Sequence, residues 1–187
     1  MYKLKWTRLQ SEIFRLLCIK AGQNLNLRTI AKTLEVSPTA VSKATRELEK
    51  EGLIKIIKSP TMNLHAVSFH RENQKAVHHK RTENLKMIYE SGLADFVHEQ
   101  YPGCTIILFG SYSLGEDMCF GEKDERNSDI DLAVIGTTGS KKTDMTKYEK
   151  LLERAISINF YKSWESIHKH LKNNILNGIL LSGGIEL

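Results

Sequence analysis

Two apolar runs between Ile106 and Ile135 constrain this chain more than any other stretch. The first, Ile-Ile-Leu-Phe, ends in Gly110-Ser111, and the second opens with Asp129-Ile130-Asp131. Alternate residues of a strand share a face, so Asp129 and Asp131 are expected to project together while Ile130 and Leu132 turn to a core. Two carboxylates held side by side repel unless a cation lies between them. Mg²⁺, a hard ion with oxygen ligands, suits such a pair. Gly110 permits close backbone approach, and Ser111 offers a hydroxyl and an N–H to an anion. An anion cradle beside a cation-binding pair points to a nucleoside triphosphate (NTP).

Charge along the chain separates two halves. Residues 1–80 hold 15 Lys and Arg against 6 Asp and Glu, a net +9, whereas residues 81–187 hold 12 against 16, a net −4. A basic front and an acidic back suggest two modules with different partners, nucleic acid being the candidate for the first. No apolar run approaches the ~18 residues of a membrane span. Arg15 interrupts the run after the N-terminal lysines, which argues against a signal peptide. Cys18, Cys104 and Cys119 are odd in number and widely spaced. They are expected to be buried or incidental thiols, which fits a cytoplasmic location. His78-His79 and the pair His168 and His170 lack the spacing that brings two rings to one helical site, and are expected to be solvated.

The front half reads as three helices and a ribbon. Leu9, Ile13, Leu16, Leu17 and Ile19 have helical spacing over about 7–20, and Gly22 ends that segment. Residues 24–26 read as a connector, and 27–34 as a short second helix. Ser37 suits an N-cap and Pro38 the first position of a third helix, with Val41, Ala44 and Leu48 inward and Gly52 closing it. Residues 53–58 and 64–69 read as strands joined by a turn at 59–63. The runs Leu27–Leu34, Val36–Lys43 and Leu48–Ile54 resemble a winged helix-turn-helix domain over about residues 6–70. That resemblance implies that the third helix enters the major groove of double-stranded DNA, with Thr39, Ser42, Lys43, Thr45 and Arg46 facing outward. It also implies that Lys55, Lys58 and His65 on the wing reach phosphate. Glu47, Glu49 and Glu51 make the end of that helix acidic, which keeps protein docking as an alternative.

Residues 71–98 read as a connecting helix broken at Ser91-Gly92, and 99–187 as a separate α/β domain. Strands are expected at 104–109, 128–135 and 155–161, a short helix at 112–114, a helix at 144–153, and a last helix running to Leu181. The predicted class is α+β: a winged helix followed by an α/β domain with a small mixed sheet. Phe109–Gly115 with Ser128–Leu132 resembles the minimal branch of the DNA polymerase β-like nucleotidyltransferase superfamily. The whole chain, with its Asn84–Leu93 run, resembles archaeal fusions of a winged helix to such a domain. The resemblance implies that Asp129 and Asp131 bind Mg²⁺ and that Gly110 and Ser111 hold the triphosphate. A nucleoside monophosphate would pass to a hydroxyl on a protein, RNA or small molecule.

Two departures bear on activity. The third carboxylate of the superfamily falls on the strand Ile156–Phe160, where Asn159 is the expected occupant. Asn can lend an oxygen to a metal but brings no charge and cannot act as a base. Seventeen residues separate Ser111 from Asp129, the excess being the charged run Met118–Asn127 over the site. Transfer chemistry therefore stands beside a second expectation, a transcription regulator whose second domain binds nucleotide or partners without catalysis. A third is an RNA-modifying enzyme with the basic head as clamp.

Overall fold

A computed structural model describes residues 6–58, 65–121, 124–137 and 143–185. The turn expected at 59–63 and the centre of the loop after Gly136 lie outside the described residues, as do the side chains of Lys58 and His65. The chain divides into two compact units, residues 1–80 with 118–127, and residues 81–117 with 128–187.

In the first unit, helix α1 (Arg8–Ile19) opens with a capping box. Thr7 Oγ1 accepts from the Gln10 N–H, and the Gln10 side chain accepts from the Thr7 N–H. Helix α2 (Leu27–Thr33) is capped by Asn26, and α3 (Pro38–Lys50) by Ser37, with Pro38 as its first residue. Strand β1 is the pair Leu25–Asn26, followed later by β2 (Ile54–Lys58) and β3 (His65–Phe69). They form an antiparallel sheet in the order β1-β3-β2. The connector expected at 24–26 is thus partly strand: Leu25 pairs with Val67 and Asn26 with Ala66. Two residues are too few to show a period in sequence.

Ile13, Phe14, Leu17, Ile30, Val41, Leu48, Leu53, Ile54 and Val67 form the core of this unit. Each such side chain contributes about 1.5–3 kcal/mol by leaving water. Residues 118–127 belong to this unit as well. The Cys119 N–H donates to Ala21 O at 2.5 Å, and Gln23 Nε2 lies 3.5 Å from Cys119 Sγ. Asn127 folds the run on itself, accepting from the Phe120 N–H and donating to Gly121 O. The run thus bonds to Ala21 and Gln23, in the segment that follows α1, and to itself. The sequence did not reveal this because the partners are far apart in the chain, Gln23 and Cys119 by 96 residues.

Helix α4 (Gln74–Glu90) contains the division between the units, which falls after Lys80. In the second unit follow α5 (Leu93–Gln100), β4 (Thr105–Phe109), α6 (Gly110–Leu114) and β5 (Ile130–Ile135). Then come α7 (Thr146–Leu152), β6 (Ile156–Tyr161), a 3-10 turn (Trp164–Ser166), α8 (Lys169–Leu176) and β7 (Ile179–Ser182). The sheet is mixed and ordered β6-β5-β4-β7, with β5 and β6 parallel and the other pairs antiparallel. Ile107, Phe109, Ala133, Ile135, Trp164, Ile167 and Ile175 form one apolar cluster. The last helix is shorter than expected. It stops at Leu176, and Ile179–Ser182 returns as an edge strand on β4. Gly178 makes the return possible, because a Cβ there would collide with Leu108 O. All three cysteines are buried thiols.

Candidate functional site

The exposed face of α3 is built by its periodicity. Val41, Ala44, Thr45 and Leu48 are buried at i, i+3, i+4 and i+7. Thr39, Lys43 and Arg46 are exposed and Ser42 is half-buried, forming the opposite stripe. Thr45 was expected on that outer stripe and is not there. It is 1% exposed, and its Oγ1 donates to Val41 O at 2.9 Å. The i+4 offset from Val41 places it inward, a spacing already present in the sequence. Arg28 and Lys32, four residues apart on α2 and both exposed, add basic groups that the sequence reading left out.

The three glutamates at the end of α3 have partners within their own unit, two of them cations. Glu47 pairs with Lys50 at 2.8 Å, and Glu51 with Lys75 at 2.5 Å. Glu49 accepts the Ile56 N–H at 2.9 Å. On the wing, the Lys55 ammonium is 2.6 Å from Glu72, and this bond is the main cause holding the Glu72 carboxyl down to about 2. Lys55 is thus already paired, which weakens its expected reach to phosphate.

In the second unit, the turn from β4 into α6 meets β5. Phe109 is in register with Asp131. Gly110 has φ +72°, and a Cβ on it would lie 2.5 Å from Asp131 Oδ2. Only glycine satisfies both the left-handed backbone and that approach. Ser113 Oγ donates to Gly110 O at 2.8 Å and steadies the turn, while Ser111 is half-buried. Asp129 is exposed just ahead of β5. Asp131 is partly buried, and this burial, then the charge of Asp129, raises its carboxyl above the ordinary value. Asp131 is thus a carboxylate short of positive charge, a state that a hard cation relieves.

The parallel register of β5 and β6 places Ser157, not Asn159, beside Asp131; Asn159 is beside Ala133. Alternation leaves both on the face of Asp131. Among the described residues, no cluster of three His, Cys, Asp or Glu could hold a metal. Two carboxylates fit Mg²⁺ when phosphates and waters complete its shell, and do not make an all-protein cage.

Residues 10–61 match the MarR family model. The first unit is therefore a MarR-like winged helix. No curated protein matches the chain at a significant level. Among solved structures, a variant of Lactococcus lactis ZitR shares 24% identity over 54% of this chain and 66% of its own, with TM-score 0.40. The adhesin competence repressor AdcR of Streptococcus pyogenes shares 20% over 54% of this chain and 70% of its own, with TM-score 0.41. Wild-type ZitR in complex with DNA shares 26% over 52% of this chain and 62% of its own, with TM-score 0.38. The chain thus spans just under two thirds of the ZitR structures. Among the described residues, no helix is long and apolar enough to cross a membrane.

Proposed function

We propose that this chain is a transcription regulator that binds double-stranded DNA through α3 and holds a Mg²⁺–nucleoside triphosphate in its second unit. The observation that carries the DNA reading is the MarR match over 10–61, coinciding with the outward stripe Thr39, Ser42, Lys43 and Arg46. Lys43 and Arg46 supply phosphate contacts, and Thr39 and Ser42 hydrogen-bond phosphates or base edges. The net +9 of residues 1–80 supports the same partner. In a gel-shift assay on duplex DNA, Lys43→Ala and Arg46→Ala should each weaken binding, while Glu83→Ala on the second unit's part of α4 should not. Equal binding by all four proteins removes the reading.

Nucleotidyl transfer is the second reading, favoured by the packing of Gly110 against Asp131. Bound Mg²⁺ would supply charge neutralisation at the transferred phosphoryl group. Asp129 and Asp131 would hold the ion, and the Gly110–Ser111 turn would orient the triphosphate. A neutral Ser157 and Asn159 leave the acceptor hydroxyl without a carboxylate base on β6. Incubation with labelled ATP, CTP, GTP and UTP separates the readings. Label on a protein or RNA acceptor, lost in Asp129→Ala/Asp131→Ala, establishes transfer. Nucleotide binding without label leaves the regulator.

A further inference from the structure

Three polar side chains are buried together in the second unit. Asn84, Asp117 and Arg154 are 1%, 1% and 4% exposed. Asn84 Nδ2 donates to Tyr112 O at 2.9 Å and to Asp117 Oδ1 at 2.7 Å. Both neighbours are acceptors, so the amide nitrogen must be the atom that faces them. Arg154 Nη2 lies 3.1 Å from Asp117 Oδ2, and its Nη1 donates to Glu153 O at 3.0 Å. One carboxylate thus joins α4 to the turn between α7 and β6, and one amide joins both to α6.

Each tie ends beside a residue of the candidate cation site. Tyr112 directly follows Gly110-Ser111 in α6. Ala155, next to Arg154, accepts the N–H of Ile130 at 2.8 Å, and Ile130 lies between Asp129 and Asp131. A buried ion pair is a weak source of stability, since apolar residues of similar volume often serve as well or better. Stability alone therefore gives little reason for this arrangement. Geometry gives a better one: site residues function only when held within about 0.5 Å of a working arrangement by a supporting shell.

We infer that Asn84, Asp117 and Arg154 are positioning residues, holding the Gly110–Ser111 turn at a set distance from the Asp129–Asp131 carboxylates so that one metal–triphosphate spans both. This rests on the cation–triphosphate reading of the second unit. The network touches neither ligand directly; Asn84 acts through the Tyr112 carbonyl, and Arg154 through Asp117 and the backbone that pairs with Ile130.

The test uses the full chain, with Mn²⁺ plus ATP as probe and free Mn²⁺ read by electron paramagnetic resonance. Two variants separate positioning from stability. Asp117→Val/Arg154→Met replaces the ion pair by apolar volume, and Asn84→Leu removes both amide bonds while leaving the pair. Thermal unfolding is measured alongside. The expected result is a loss of Mn²⁺–ATP affinity of about 10–100-fold, as for removal of other partners that orient ligands, in a variant that keeps its unfolding transition. Affinity within twofold of wild type in whichever variant keeps that transition overturns the inference. Absence of Mn²⁺–ATP binding in the unsubstituted chain overturns the underlying reading, and the inference with it, without reference to any variant.

Discussion

Two effects act in the same direction at Asp131. Burial and the neighbouring charge of Asp129 raise its carboxyl above the ordinary 3.8. For a raised acid, the favourable contribution is whole below that ordinary value and is lost as pH rises through the higher folded value. At neutral pH the ionised Asp131 therefore weakens the second unit, a cost that the proposed cation would relieve. Asp129→Asn should stabilise the metal-free chain by about 0.5 kcal/mol in urea titrations, the scale of a relieved like-charge pair. On the proposed Mg²⁺ site, added Mg²⁺ should stabilise the wild type and leave this variant unchanged. A less stable metal-free variant would contradict this. Gly110→Ala faces a strained backbone and Asp131 together. Its expected destabilisation is about 1–3 kcal/mol, with loss of any Mg²⁺ response. Unaltered stability and an unaltered response would show that the close approach is unimportant.

The elements show what their residues made legible. Helix α3 was readable at both ends, from Ser37-Pro38 and Gly52, because capping chemistry is local. Its outer face was readable at Thr39, Ser42, Lys43 and Arg46 but misassigned at Thr45, where residue polarity was followed instead of helical phase. A threonine donating to the carbonyl four residues back is content inside a helix. Thr45→Ala should therefore cost about 1 kcal/mol of stability and leave DNA affinity unchanged. Arg46→Ala should do the reverse, and chemical denaturation beside a DNA titration distinguishes them. Strand β7 was read as helix because a four-residue apolar run is ambiguous by period. The position of Ser157 beside Asp131 was equally hidden, since the register between β5 and β6 depends on a pairing across 26 residues of chain. The Asn84–Asp117–Arg154 network was invisible for the same reason: its members come from three distant segments.

Along the whole chain, net charge changes from +9 over residues 1–80 to −4 over residues 81–187. In the sequence each part has its own hydrophobic pattern and its own charge. What the sequence could not show is that Met118–Asn127 belongs with the first unit, although it lies in the chain between Ser111 and Asp129. Gly22, with φ +107°, is one point where that run packs: a Cβ added there would lie 3.2 Å from the Phe120 ring and 3.3 Å from Cys119 O. Gly22→Ala should lower the stability of the first unit by more than about 1 kcal/mol, since φ is unsuitable for alanine. Thermal melts of the DNA-binding activity read this directly, and an unchanged midpoint would argue against the packing.

DNA recognition by the first unit is tested most directly by anisotropy of a labelled duplex, titrated with the full chain at a series of salt concentrations. Binding by α3 should weaken steeply with salt, and Lys43→Ala/Arg46→Ala should reduce the slope of log K against log salt by roughly 2, one for each lost phosphate contact. A salt-independent affinity, or a slope unchanged by removing both cations, would contradict DNA binding through this face.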